Sequence, residues 1–200
     1  MLARVRILAA LWVCMLAACS SLPNPVYDYQ AEPNPTKTEF VLGVGDVVGI
    51  NVWDNQPFNT TATIRPDGTI TMPLVGDLAA VNKTPTQLKE EIEKRIANYV
   101  KTSGGEVTVS VQQWHSYRFT VSGEVSSPGL FSQEQYVTVA EAIALSGGFT
   151  RFAKRNEMKL MRRGADGKIR TIPLVYDLLA TGERPDMNIY MISGDSLYVP

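Results

Sequence analysis

The stretch Ile64-Arg65-Pro66-Asp67-Gly68-Thr69-Ile70-Thr71-Met72-Pro73-Leu74-Val75-Gly76 restricts the chain more than any other. Ala62 and Ile64 alternate with polar residues on one side of Pro66-Asp67-Gly68, and Ile70, Met72 and Leu74 do so on the other. That is the two-residue period of half-buried strands. Proline fixes φ, aspartate can accept from its own backbone, and glycine tolerates positive φ, so the tripeptide reverses the chain. Taken alone, the stretch predicts a hairpin closed at Pro66-Asp67-Gly68.

The N-terminus obeys different rules. Arg4 and Arg6 precede the apolar run Ile7 to Ala18, which ends in Leu16-Ala17-Ala18-Cys19. A positive start, a short apolar run and small residues before a cleavage point describe a secretory signal over residues 1–18. Its twelve apolar residues fall short of the ~20 that a spanning helix needs. Leu16-Ala17-Ala18-Cys19 also resembles a bacterial lipoprotein signal, which implies lipidation of Cys19 as the new first residue. Ser20 after it implies sorting to the outer membrane, anchored and facing the periplasm. Cys14 would leave with the signal and Cys19 would carry lipid, so no thiol would remain for a disulfide or metal site. Removal of Arg4 and Arg6 leaves 17 basic against 20 acidic side chains. That balance argues against a nucleic-acid partner, which usually shows as a basic excess.

Residues 19–37 contain Pro23, Pro25, Pro33 and Pro35 and few apolar side chains, predicting an extended tether with a reach on the order of 50 Å. A turn at Gly43-Val44-Gly45-Asp46 leads to an alternating strand with Val48, Ile50 and Val52. It lacks the GKS/T ending and the following helix of a phosphate loop. Thr84-Pro85-Thr86-Gln87 opens a helix with a capping threonine, a first-turn proline and a glutamine placed to bond back. Leu88, Ile92, Ile96, Tyr99 and Val100 fall on one face, and the pairs Glu90–Lys94 and Glu91–Arg95 on the other. Ser103-Gly104-Gly105 ends it, and Val107, Val109 and Val111 form the next strand. Trp114-His115-Ser116 marks a boundary between units 38–113 and 114–200. His115 has no cysteine or histidine partner in the mature chain, which argues against metal binding or base catalysis.

The second unit opens on Tyr117, Phe119 and Val121, and Thr138-Val139-Ala140-Glu141 starts a short helix through another capping box, stopped by Gly147-Gly148. Met158–Met161 and Ile169–Leu174 flank a turn at 164–167, a brief helical turn follows near Asp177, and the chain closes on Gly194 to Pro200. Both units follow an α+β plan. Gly45-Asp46-Val47-Val48 resembles Gly194-Asp195-Ser196-Leu197, through either duplication or two related turns.

The string around Arg65, Pro66, Asp67, Gly68, Pro73 and Gly76, with Asp77-Leu78 and the capped helix after it, resembles the signature of the bacterial polysaccharide biosynthesis/export family. The second unit's Gly123, Pro128, Gly129, Gly147 and Gly148, in their spacing, resemble the β-grasp SLBB domain that follows the export domain in that family. The resemblance implies an α+β fold of export domain then SLBB domain. It implies a self-assembled ring passing exopolysaccharide or capsule polymer, alongside an inner-membrane chain-length co-polymerase protein. Longer members carry a C-terminal helix that forms the outer pore. This chain ends at Pro200, so a separate outer-membrane β-barrel is the expected partner. No enzyme activity, cofactor or metal is expected, since the carboxylates are scattered where a glycosidase needs two facing one bond. The competing expectation is a monomeric periplasmic lipoprotein that binds a soluble saccharide-like ligand through its β-grasp unit.

One charge feature stands apart. Residues 151–170 hold eight cations against Glu157 and Asp166. The run reads either as a solvated hairpin or as contact with acidic polymer, a neighbouring subunit or lipid headgroups. Arg151, Lys154, Arg155, Arg162 and Arg163 are the candidate contacts.

Overall fold

A computed structural model describes residues 22–99, 107–164 and 166–200. The signal over 1–18, Cys14, Cys19, Val100 and the helix stop at Ser103-Gly104-Gly105 lie outside the described residues.

In the first unit, alternating valines and isoleucine make β1 (Val47–Val52), with Val48, Ile50 and Val52 buried. It is the middle strand of a three-stranded antiparallel sheet, between β2 (Thr60–Thr63) and β5 (Val107–Gln113). β3 (Thr69–Met72) and β4 (Gly76–Ala79) form a separate hairpin. The expected hairpin at Pro66-Asp67-Gly68 is corrected accordingly. Arg65 N–H donates to Thr69 C=O at 2.9 Å and Gly68 N–H to Arg65 C=O at 2.8 Å, so the chain does reverse there. The flanking strands then part, because β2 takes its ladder from β1 and β3 from β4, whose turn is Pro73-Leu74-Val75.

Helix α1 (Pro85–Ile96) has the expected capping box between Thr84 and Gln87. It buries Leu88, Ile92 and Ile96 completely and packs on β5. Tyr99, expected on that face, is 62% exposed, and its ring lies over buried Phe58 with centroids 6.2 Å apart. On the outer side Glu91–Arg95 forms at 3.5 Å, and Lys89 pairs with Glu93 at 3.8 Å where Glu90–Lys94 was expected.

The second unit is a five-stranded mixed sheet in the order β7-β6-β10-β8-β9. Its strands are β6 (Arg118–Gly123), β7 (Gly129–Ser132), β8 (Met158–Arg163), β9 (Ile169–Leu174) and β10 (Ser196–Val199). β10 runs parallel to β6 and antiparallel to β8. Helix α2 (Val139–Leu145) carries the second capping box, Thr138 with Glu141, and buries Val139, Ala142 and Ile143. A short α3 (Tyr176–Ala180) follows β9. Phe119, Val121, Leu160, Ile172 and Leu197 fill this core, which is distinct from the core of the first unit. The α+β class is therefore observed in both units.

The proline-rich segment is not a free tether over its described part. Tyr29 is 3% exposed within the second unit's core, and its hydroxyl donates to Pro173 C=O at 2.5 Å. Asp28 caps a 3-10 turn at Tyr29–Ala31, and Glu32 is buried beside β8. The segment is a strap laid on the second unit before the chain crosses to the first. Composition could not show this, because a few individual contacts hold it: Tyr29 in the core, Glu32 on Arg162, and Asn24 on Arg184.

Candidate functional site

The signature loop is a network of side chains on one exposed face. Asp67 Oδ1 accepts from Thr69 N–H at 3.0 Å and from Thr69 Oγ1 at 2.7 Å, fixing the turn. Arg65 lies across the hairpin: Nη2 donates to Thr69 Oγ1 at 2.5 Å and to Asp77 Oδ2 at 3.1 Å, and Nη1 to Thr71 Oγ1 at 3.1 Å. Thr71 Oγ1 donates to Asp77 Oδ1 at 2.6 Å. The Asp67 carboxyl is held below its ordinary range by the Thr69 hydrogen bonds and then by Arg65. The Asp77 carboxyl is lowered by Thr71 and then by Arg65. Gly68, at φ +81, has no room for a Cβ, which would stand 2.4 Å from Val81 Cγ1. The signature is thus a turn cross-braced by its own charges. Pro73 and Gly76 belong to the turn and first residue of the β3–β4 hairpin, close to this network but outside it.

The second unit's motif residues lie at one end of its sheet. Gly123 ends β6 at φ +92, where a Cβ would stand 1.9 Å from Val199 C=O. Pro128 precedes β7, whose first residue Gly129 pairs with Val121. Gly147 and Gly148 close α2, with Gly148 N–H donating to Ile143 C=O at 2.9 Å.

The cation run does not form one patch. Arg151 covers the Phe152 ring at 4.7 Å, Lys154 approaches Glu157 at 4.0 Å, and Arg155 pairs with Asp177 at 2.8 Å, all near the start of β8. Arg163 lies at the other end of β8 and donates to Gly167 C=O at 2.7 Å. Arg162 is corrected as a contact residue: its side chain is 1% exposed. Nη1 donates to Glu32 at 2.8 Å, while Nε and Nη2 grip Asp195 at 3.0 and 2.6 Å, and Tyr190 C=O takes a further bond at 2.7 Å. Burial alone would lower this guanidinium's pKa, but hydrogen bonds and charge from Asp195 and Glu32 more than reverse that. The signal was present in the sequence: Met158, Leu160 and Arg162 share one face of β8.

Two buried aspartates sit in matching turns. Asp46 Oδ2 accepts from Gly43 N–H at 2.8 Å, and Asp195 Oδ2 accepts from Ile192 N–H at 2.8 Å, three residues back in each case. Their other partners differ. Asp195 takes Arg162, whereas Asp46 takes Ser116 N–H and Oγ, both at 2.7 Å. Asp46 thereby joins the first unit to the connection leading into the second. His115 Nδ1 lies 3.0 Å from Gly45 C=O, and Ser193 Oγ donates to Ser116 C=O at 2.5 Å.

Beside this junction is a cavity of about 330 Å³. Phe40 and Trp114 form one wall, edge to face with centroids 5.7 Å apart. Tyr136 and Tyr190 come from the second unit. Only Trp114 of these was singled out in the sequence, because the aromatics are far apart along the chain. Among the described residues, no group of three or more histidine, cysteine or acidic side chains is placed to hold a metal ion. No described helix is long and apolar enough to cross a membrane.

The polysaccharide biosynthesis/export protein model matches residues 34–112, and the SLBB domain model matches 118–173. The EPS I polysaccharide export outer membrane protein EpsA of Ralstonia nicotianae is 29% identical, over 81% of this chain and 47% of its own. The capsule polysaccharide export outer membrane protein CtrA of Neisseria meningitidis is 27% identical, over 84% of this chain and 48% of its own. The exopolysaccharide production protein ExoF of Rhizobium meliloti is 30% identical, over 56% of this chain and 29% of its own. The chain thus spans about half or less of the length of these curated relatives. With an export domain followed by an SLBB domain, and with relatives named for polysaccharide export, the chain belongs to the polysaccharide biosynthesis/export family.

Proposed function

We propose that the protein is a lipid-anchored periplasmic component of a capsule- or exopolysaccharide-export conduit at the outer membrane, working by assembly into a ring. The observation that carries this reading is the order of the two matched domains, in a chain whose relatives are named for polysaccharide export. Cys19 is the proposed anchor. The partners are copies of itself, the polymer, an inner-membrane chain-length protein and a separate outer-membrane barrel.

Two structural features support assembly. β7 and β9 are the outermost strands at opposite edges of the second sheet, and while Tyr29 of the strap covers β9 at Pro173 C=O, the Ile169 end of β9 stays exposed. Leu130 on β7 and Ile169 on β9 are 64% and 61% exposed. Contact between two different edges is head-to-tail, and head-to-tail contacts close into rings when the rotation permits. The exposed Arg65 network is self-paired, so it supports a stiff presenting surface rather than catalysis.

Light scattering on detergent-solubilised lipidated protein tests assembly. A mass of several chains is expected, and a monomer at all concentrations would favour the ligand-binding alternative. Incorporation of labelled palmitate that is lost in Cys19→Ser tests the anchor.

A further inference from the structure

The described contacts of the cation run and the strap are accounted for above by pairing or packing and the sheet edges by the proposed assembly, whereas the cavity beside Trp114 is used by none of them. We propose that this cavity is a binding subsite for an uncharged saccharide segment, an inference that rests on the export reading and adds to it where and by which chemistry the polymer is held.

A pyranose ring presents a face of C–H groups and an edge of hydroxyls, so its site needs an apolar wall with hydrogen-bonding groups around it. The cavity has both. Phe40 and Trp114 supply aromatic surface, and Trp114 is 42% exposed although it packs edge to face on Phe40. Tyr136 and Tyr190 add a phenol each, and Gln133 and Gln135 add amides. Among the described residues neither tyrosine hydroxyl nor either glutamine side chain has a hydrogen-bond partner. By contrast Tyr117, which also lines the cavity, spends its hydroxyl on Met191 C=O and Val137 N–H. Burial, followed by the charge of Asp46, raises the Tyr136 phenol above its ordinary range.

The charge of the lining decides the ligand class. Glu134 is the one acidic side chain of its lining, which holds no lysine or arginine. A uronic acid or phosphate would meet only negative charge there, whereas a neutral sugar meets donors and acceptors. The volume lies at the lower end of the range of about 300–1,000 Å³ for small-molecule sites. That suits a short stretch of a longer chain passing by. The walls come from both units, so the Asp46–Ser116 clamp also sets the width of the site.

The test uses polysaccharide secreted by the strain that carries this protein, partially hydrolysed and divided by anion exchange into neutral and acidic oligosaccharides. Each fraction is titrated into the full lipidated protein in detergent while tryptophan emission is followed. Trp53→Phe identifies the Trp114 contribution. The neutral fraction should shift Trp114 emission saturably. Tyr136→Phe/Tyr190→Phe, which keeps both rings, should weaken binding about tenfold through the lost hydrogen bonds, and Trp114→Ala should abolish it.

Response to the acidic fraction alone, equal binding by the double phenylalanine variant, or no saturable response would overturn the proposal. Loss of acrylamide access to Trp114 in the oligomer but not the monomer, without any saccharide response, would assign the cavity to a second copy instead. Secretion in a deletion strain separates the two levels of failure. Unchanged secretion would remove the export reading itself, whereas lost secretion with no oligosaccharide binding would remove this site alone.

Discussion

Arg162 holds Glu32 and Asp195 where water has little access, joining the strap, β8 and the turn before β10 at a single guanidinium. Removing Arg162 leaves the buried Asp195 carboxylate without its cation and Glu32 with only the half-exposed Arg170 at 3.5 Å, at a cost of ~3–5 kcal/mol. Arg162→Met should therefore lower the unfolding free energy by that order and the denaturant midpoint with it, while Arg151→Ala should stay within about 0.5 kcal/mol. Equal midpoints in unfolding curves would contradict the assignment. Tyr27 reports on the same cluster from its edge. Its hydroxyl donates to Glu32. Burial, with the Glu32 hydrogen bond and charge added, pushes its pKa from 10.0 up to about 12. A raised folded pKa stabilises below the unfolded value, and the contribution is lost as pH climbs through the folded one. Stability should thus decline between about pH 10 and about pH 12, and Tyr27→Phe should flatten that part of the curve.

Among the elements, α1 is the plainest link from pattern to packing. Its capping box fixes the start and Leu88, Ile92 and Ile96 fix the face, all fully buried. Ile92→Ala should cost ~2–5 kcal/mol in equilibrium unfolding, and a loss under 1 kcal/mol would show that the helix does not carry the first core. Both capping boxes and the strand alternation of β1, β5 and β6 were legible in the sequence, because each depends on residues a few positions apart. The signature loop was legible as a turn but not as the brace it is. Its Arg65–Asp77 contact, at 3.1 Å, follows from β3 pairing with β4, and strand partners are chosen by packing over distance. The same limit hid the parallel β6–β10 pair, the strap held by Tyr29 and Glu32, and the aromatic cavity, whose walls range from Phe40 to Tyr190. Counting charges misplaced Arg162, which the phase of Met158 and Leu160 on the same strand would have placed correctly.

At the scale of the whole molecule, two small cores are held together by the Asp46–Ser116 clamp and by the strap's crossing. The second sheet ends in β7 on one side and β9 on the other, with Leu130 and Ile169 exposed on them. If those edges join copies, Leu130→Lys or Ile169→Lys should reduce the solution mass to that of a monomer. Each should leave stability within about 0.5 kcal/mol, as expected for exposed positions. Unchanged mass in both variants would place the ring contact elsewhere. The central claim is that the assembled, anchored protein lets polymer leave the cell. Its most direct measurement is the amount of secreted polysaccharide in a strain deleted for this gene and complemented in turn with wild type and Cys19→Ser. The account predicts loss on deletion, recovery with wild type and no recovery with Cys19→Ser. Normal secretion in the deletion strain, with no second copy of the gene to substitute, would contradict it.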